Sequence, residues 1–223
     1  MEKLVTANVA SSLYWLGRYL ERTEATLYKV IKAYDEIIDV NHDAGVNLYK
    51  NFDVVLEYKN ANNFLRAAIF GEHTSNLLEV MINARESAII SRHLIDTEAF
   101  GEIIELHALF LKTSKEAQGV DYRFIDVARS LIREIWGTLS EREHKKNADD
   151  FVRLGKLVEE ADFRIRFGKD ESVTMTIIDE IDMIVESLSN EDYKSESMTQ
   201  DQGGSEENLL NFVNNKIKSV IID

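Results

Sequence analysis

The chain has no cysteine and no proline in 223 residues. Without cysteine there are no disulfides, no thiolate metal site and no cysteine nucleophile. Without proline the strongest helix breaker is missing. Basic residues are in the minority: 26 Lys and Arg stand against 40 Asp and Glu, a formal net charge of -14. That balance argues against wrapping nucleic acid as the main role. Aromatic and basic residues are not interleaved as in single-strand binders. No uncharged apolar run approaches the ~20 residues that span a bilayer. The first residues, MEKLVTANVASSLYWLGRY, have no long apolar stretch before their first charges, so no signal peptide is expected. These absences together predict a cytoplasmic protein that binds neither nucleic acid nor membrane.

What remains is suited to helices. Apolar residues make up 44% of the chain and charged residues 30%, enough for a core and a wet surface. Leu13, Leu16, Leu20, Leu27, Ile31 and Ile38 recur at helical spacing, so one long helix is predicted over about 5–40. Gly17 interrupts that pattern at a cost of ~1 kcal/mol, which suits a close helix crossing. DVNHDAG, 39–45, reads as a stop with Gly45 as the breaker. VNLYKNFDVVLEYKN and ANNFLRAAIFG read as two short helices. The next helix begins near Leu77, with Thr74 or Ser75 as its cap. Further helices are expected over 96–117, with Asp96 as cap, over the segment QGVDYRFIDVARSLIREIWGTLS, over 147–170, and to about Leu188. The expectation is an all-α, multi-helix bundle of seven or eight helices over 1–190. An acidic linker would follow at 191–207 around Gly203-Gly204, then an amphipathic C-terminal helix at 208–223.

Two stretches resemble each other. Aligning Leu16 with Leu154 sets Gly17 on Gly155, Arg18 on Lys156, Glu21 on Glu159 and Glu24 on Asp162. Arg22 falls on Glu160, so the copies are unequal. Such self-similarity points to a duplicated helical element. Residues three and four apart share a helix face, so Glu21, Glu24, Glu159 and Asp162 would approach one another if the two helices pack together. Three readings stand side by side: interhelical ion pairs with Arg18, Arg22, Lys156 or Arg85; a polar groove for a ligand or partner; and a carboxylate metal site. The last needs Glu-x-x-His elements. Only Glu141 and His144 make one, in EREHKK, which also reads as a solvated turn, so no metal or cofactor is expected. His107, within IIELHALF, reads as a core histidine, and His73 as part of a turn. No Walker A loop and no His-Glu-x-x-His zinc motif is present.

SLYWLGRYLERTE, 12–24, resembles the N-terminal signature of the alpha-E family, bacterial all-helical proteins named for a Glu-Arg motif. The matching residues are Tyr14, Trp15, Gly17, Arg18, Glu21, Arg22 and Glu24. NARESA, 83–88, resembles the family's central segment through Asn83, Arg85, Glu86 and Ser87. FVRLGKLVEEAD, 151–162, resembles its second Leu-Gly-Arg element, with Lys156 and Glu160 where the family carries arginines. Members occur beside, or fused to, ATP-grasp proteins and transglutaminase-like peptidases. The resemblance therefore implies an accessory or scaffold protein of a peptide-making or peptide-modifying system, with such a ligase or peptidase as partner. It leaves open an enzyme with a carboxylate and arginine pocket, and a purely structural oligomerisation protein. The residues it brings forward, as a ligand site or a structural polar network, are Arg18, Glu21, Arg22, Glu24, Arg85, Glu86, Glu159 and Asp162. An acidic or peptide ligand and a homo-oligomer are further expectations.

Overall fold

The computed structural model describes residues 5–116, 120–140, 147–168 and 170–188. The expected linker at 191–207, the C-terminal helix at 208–223 and the EREHKK turn lie outside them. The described residues form eight α-helices and no β-strand: α1 Ala7–Asp39, α2 Ala44–Lys50, α3 Ala61–Phe70, α4 Leu77–Ser91, α5 Thr97–Lys115, α6 Tyr122–Ser140, α7 Asn147–Arg166 and α8 Glu171–Leu188. The fold is all-α, as the periodicity predicts. None of these helices is long and apolar enough to cross a membrane.

The chain divides into two compact units. The described part of the first comprises residues 5–18, 147–168 and 170–188. Its central element is α7, buried on most of its circumference from Phe151 to Ile165. A helix buried over so much of its surface needs neighbours on several sides, and the carboxylates it buries need partners. α8 packs along it through Thr174, Ile177, Ile178, Ile181, Ile184 and Val185, and Arg153 pairs with Glu180 at the edge of that contact. The first turns of α1 bury Ala10, Leu13, Tyr14 and Leu16. The buried Ser12 hydroxyl donates to Asn8 O at 2.8 Å, which satisfies it inside its own helix.

The described part of the second unit comprises residues 19–116 and 120–140. Here α4 packs on α5 and α5 on α6, with α2 and α3 leading into α4. Phe70, Phe110 and Phe124 tie α3, α5 and α6 together, the last two rings edge to face at 5.0 Å. Side chains satisfy the helix ends. Asp96 caps α5 by accepting from Glu98 N, as expected. Arg66 donates to Ser114 O and Glu116 O and so covers the carbonyl end of α5. His73 holds the turn after α3, accepting from Ser75 N at Nδ1 and donating from Nε2 to Ala67 O at 2.9 Å.

Three local expectations are corrected. Gly45 does not break the chain but lies inside α2, because the rings of Phe64 and Tyr58 occupy the space a side chain would need. The helix expected through DVVLEY ends at Lys50, and Val54–Tyr58 is non-helical. The cap of α4 is Asn76 rather than Thr74 or Ser75, since its oxygen is the one that reaches Leu78 N and Glu79 N.

Candidate functional site

The polar centre of the first unit grows from one close approach. A Cβ on Gly17 would run into Val152 O, and one on Gly155 into Tyr14 O. A Cβ on either glycine would also come within 3.0 Å of the amide nitrogen of the residue just beyond the other, Lys156 or Arg18. The contact is reciprocal in the register of the sequence alignment: 14, 17 and 18 on α1 meet 152, 155 and 156 on α7. Only glycine allows two helix backbones this near. Gly17 is therefore the close-crossing residue its position suggested.

Backbones this close set Arg18, next to Gly17, against Glu159, one turn beyond Gly155. Arg18 reaches across to Glu159, donating from Nε to Oε2 at 2.7 Å, with Nη2 at 2.7 Å from the same oxygen. The Glu159 side chain is 1% exposed and that of Arg18 15%. Nη1 of Arg18 donates to the Tyr14 hydroxyl at 3.4 Å. The guanidinium also lies 5.3 Å from the centre of the Trp15 ring, which is itself edge-on to Tyr14. Asp162, buried one turn beyond Glu159, accepts from Arg166 Nε with both carboxylate oxygens at 3.0 Å.

The electrostatics follow from burial and pairing. Burial by itself would lower the Arg18 pKa, but the charge and hydrogen bond of Glu159, together with Tyr14 and Asp162, outweigh it, and Arg18 is held firmly charged. Burial pushes the Tyr14 hydroxyl up; Arg18 opposes this, and Glu159 and Asp162 reinforce it. The cluster thus contains a fixed cation, a buried carboxylate on it and a neutral phenol. Its chemistry is that of a locked ion pair joining two helices.

The eight residues brought forward by the sequence fall into two sets. Arg18, Glu159 and Asp162 belong to the first unit and are neighbours there. Glu21, Arg22, Glu24, Arg85 and Glu86 belong to the second. Glu21, Arg22 and Glu24 are half-buried along α1, and Glu21 and Arg22 both have partners. Arg85 and Glu86 pair with each other on the outer side of α4 at 2.5 Å, their side chains 37% and 56% exposed. His107 is half-buried rather than core; burial and then Arg85 hold its pKa below the ordinary histidine range, against Glu86. Of the three readings, ion pairing describes Arg18. No group of three or more His, Asp or Glu placed to hold a metal occurs among the described residues. Arg166 was missed in the sequence, although its spacing of four from Asp162 is a signal for such a pair.

No curated protein matches the chain, and neither does any solved structure. A family profile described as a predicted alpha-helical domain with a conserved ER motif does match, over residues 5–198. Glu21-Arg22 supplies such a dipeptide in the middle of α1. The match takes in both units and most of the sequence, and the chain belongs to the Alpha-E family.

Proposed function

We propose that this chain is a helical accessory or scaffold protein that works with an ATP-grasp ligase, a transglutaminase-like peptidase or both, in peptide synthesis or modification. The observation that carries the reading is the engagement of Arg18. Its guanidinium is held by Glu159, Tyr14 and Trp15 of its own chain. An arginine committed in this way orders helices, which is what a scaffold requires. The pair Arg85 and Glu86, exposed on α4, is the family-motif element open to a partner or an acidic peptide. The ligase and peptidase enter from the gene company of the family. A reducing, cytoplasmic setting suits a chain without cysteine.

The test is co-purification with an ATP-grasp protein from the same organism, with the Arg85→Ala/Glu86→Ala variant as comparison. The expected result is a complex that the double substitution weakens while the fold is retained. If the two proteins never associate, and a panel of acidic peptides does not bind, the accessory reading is wrong.

A further inference from the structure

In the second unit, one exposed ring holds two cations. Tyr28 of α1 is 41% exposed. Lys32, one turn along the same helix, places Nζ 4.5 Å from the centre of that ring. Arg129 of α6 lies over it too, with Cζ at 5.3 Å. Tyr34 and Tyr122, their ring centres 5.3 Å apart, join the same two helices further along. An aromatic face attracts a cation within ~6 Å, but it carries no net charge and neutralises none.

Carboxylates that would neutralise these cations stand close in sequence and are not used. Glu36 is four residues beyond Lys32 on α1, and Asp126 is three before Arg129 on α6; both are exposed. Such spacings suit ion pairs on a helix. Among the described residues, neither Lys32 nor Arg129 pairs with a carboxylate. In a chain with a formal net charge of -14 this is a local exception. The Arg129 Nε is buried without an acceptor. Nη1 and Nη2 have no acceptor either, but they are not buried, so the outer edge of the guanidinium reaches solvent. Packing around Nε thus fixes a cation whose fork is open.

We propose that Lys32 and Arg129 form an anion site for a phosphate group, with Tyr28 as the platform that holds both cations. Charge selects the class of ligand. Two cations match a dianion, and a phosphate group carries ~1.5 to 2 negative charges at neutral pH, where a carboxylate carries one. Nη1 and Nη2 suit two oxygens in parallel. A third oxygen is left for the Lys32 ammonium, a compact charge on a flexible stem. The acidity of the whole chain opposes any anion, which places the affinity in the millimolar range. The site lies on α1 and α6, apart from Arg85 and Glu86 on α4, and does not rest on the partner proposed above.

Titration of the full chain with inorganic phosphate, at constant ionic strength against chloride, tests the site through the nuclear magnetic resonance signals of Arg129 Nε–H and the Tyr28 ring. The expected result is a saturable shift of both. Acetate should bind roughly tenfold more weakly, having half the charge. Arg129→Gln and Lys32→Gln should each weaken phosphate by roughly tenfold at the Tyr28 signals, while Lys115→Gln leaves it unchanged. Phenyl phosphate separates the sources: tighter binding than inorganic phosphate points to a phosphate ester, equal binding to the free ion, and both support the site. No saturable shift in the unaltered chain overturns the proposal and leaves Lys32 and Arg129 as a clamp between α1 and α6. Acetate binding as tightly as phosphate overturns it as well, and so does phosphate binding that both substitutions leave intact. The titration of the unaltered chain stands even if a variant does not fold.

Discussion

Glu159→Gln is the sharpest perturbation of the Arg18 network. It keeps the size of the side chain but leaves the guanidinium, 15% exposed, without its anion. Removing one partner of a buried ion pair costs ~3–5 kcal/mol, because the remaining charge stays desolvated. The solvent window at Arg18, and Asp162 and the Tyr14 hydroxyl nearby, place the expected cost at the lower end, about 3 kcal/mol. Replacing both partners, Arg18→Met with Glu159→Leu, removes the charge and the need for it. Such exchanges are near neutral, so the double variant should recover most of the loss and lie within about 1 kcal/mol of the parent. The chain has two tryptophans, Trp15 in the first unit and Trp136 in the second. In a Trp136→Phe background, Trp15 fluorescence during urea unfolding reports on the unit that holds the pair. Arg18 lies over its ring, so the folded-state emission should also shift in Glu159→Gln. A single variant within about 1 kcal/mol of the parent would refute the view that this pair locks the helices. A double variant as unstable as the worse single would refute the coupling between its members.

Gly155→Ala and Gly17→Ala should each destabilise by roughly 1–3 kcal/mol, since the new methyl meets backbone rather than a yielding side chain; Gly101→Ala and Gly137→Ala, with open space around the same position, should stabilise by about 0.5–1 kcal/mol, and thermal melts of the four separate the two cases. Asn76→Ala should cost about 1 kcal/mol of α4 stability in urea unfolding, while Ser75→Ala should cost far less. Burial, then the charges of Glu134, Glu98, Glu105 and Asp96, raise the Glu102 pKa above the ordinary carboxylate value. The folded chain then holds this proton more tightly than the unfolded one, so the penalty is absent at low pH and appears as pH rises through the interval between the two values. Glu102→Gln should therefore raise the melting temperature at neutral pH and leave it unchanged in acid; equal shifts at both would refute the assignment.

The helices were legible because their apolar residues recur over many turns without proline. Long periodic segments such as 7–39 and 171–188 leave little room for another reading. Residues 44–60 were not legible. A glycine marks a helix end only if nothing packs on it, and Phe64 packs on Gly45. Five alternating residues at 54–58 are too few to outweigh the helical pattern on either side. The choice of Asn76 over its neighbours as cap depended on which oxygen meets the first free amides.

For the candidate site, the sequence by itself determined the ingredients: two matching helix segments, a glycine in each, a basic residue next to it and an acidic one a turn beyond. It also determined that the copies are unequal, with Arg18 against Lys156 and Arg22 against Glu160. Only the tertiary structure decided that Gly17 and Gly155 meet, because their contact joins segments more than a hundred residues apart in the chain. That contact brings Arg18 onto Glu159 and removes both from water, which no helical spacing can specify. Side-chain spacing sets which residues share a face, whereas the approach of two backbones sets which faces meet and how dry the charges between them become.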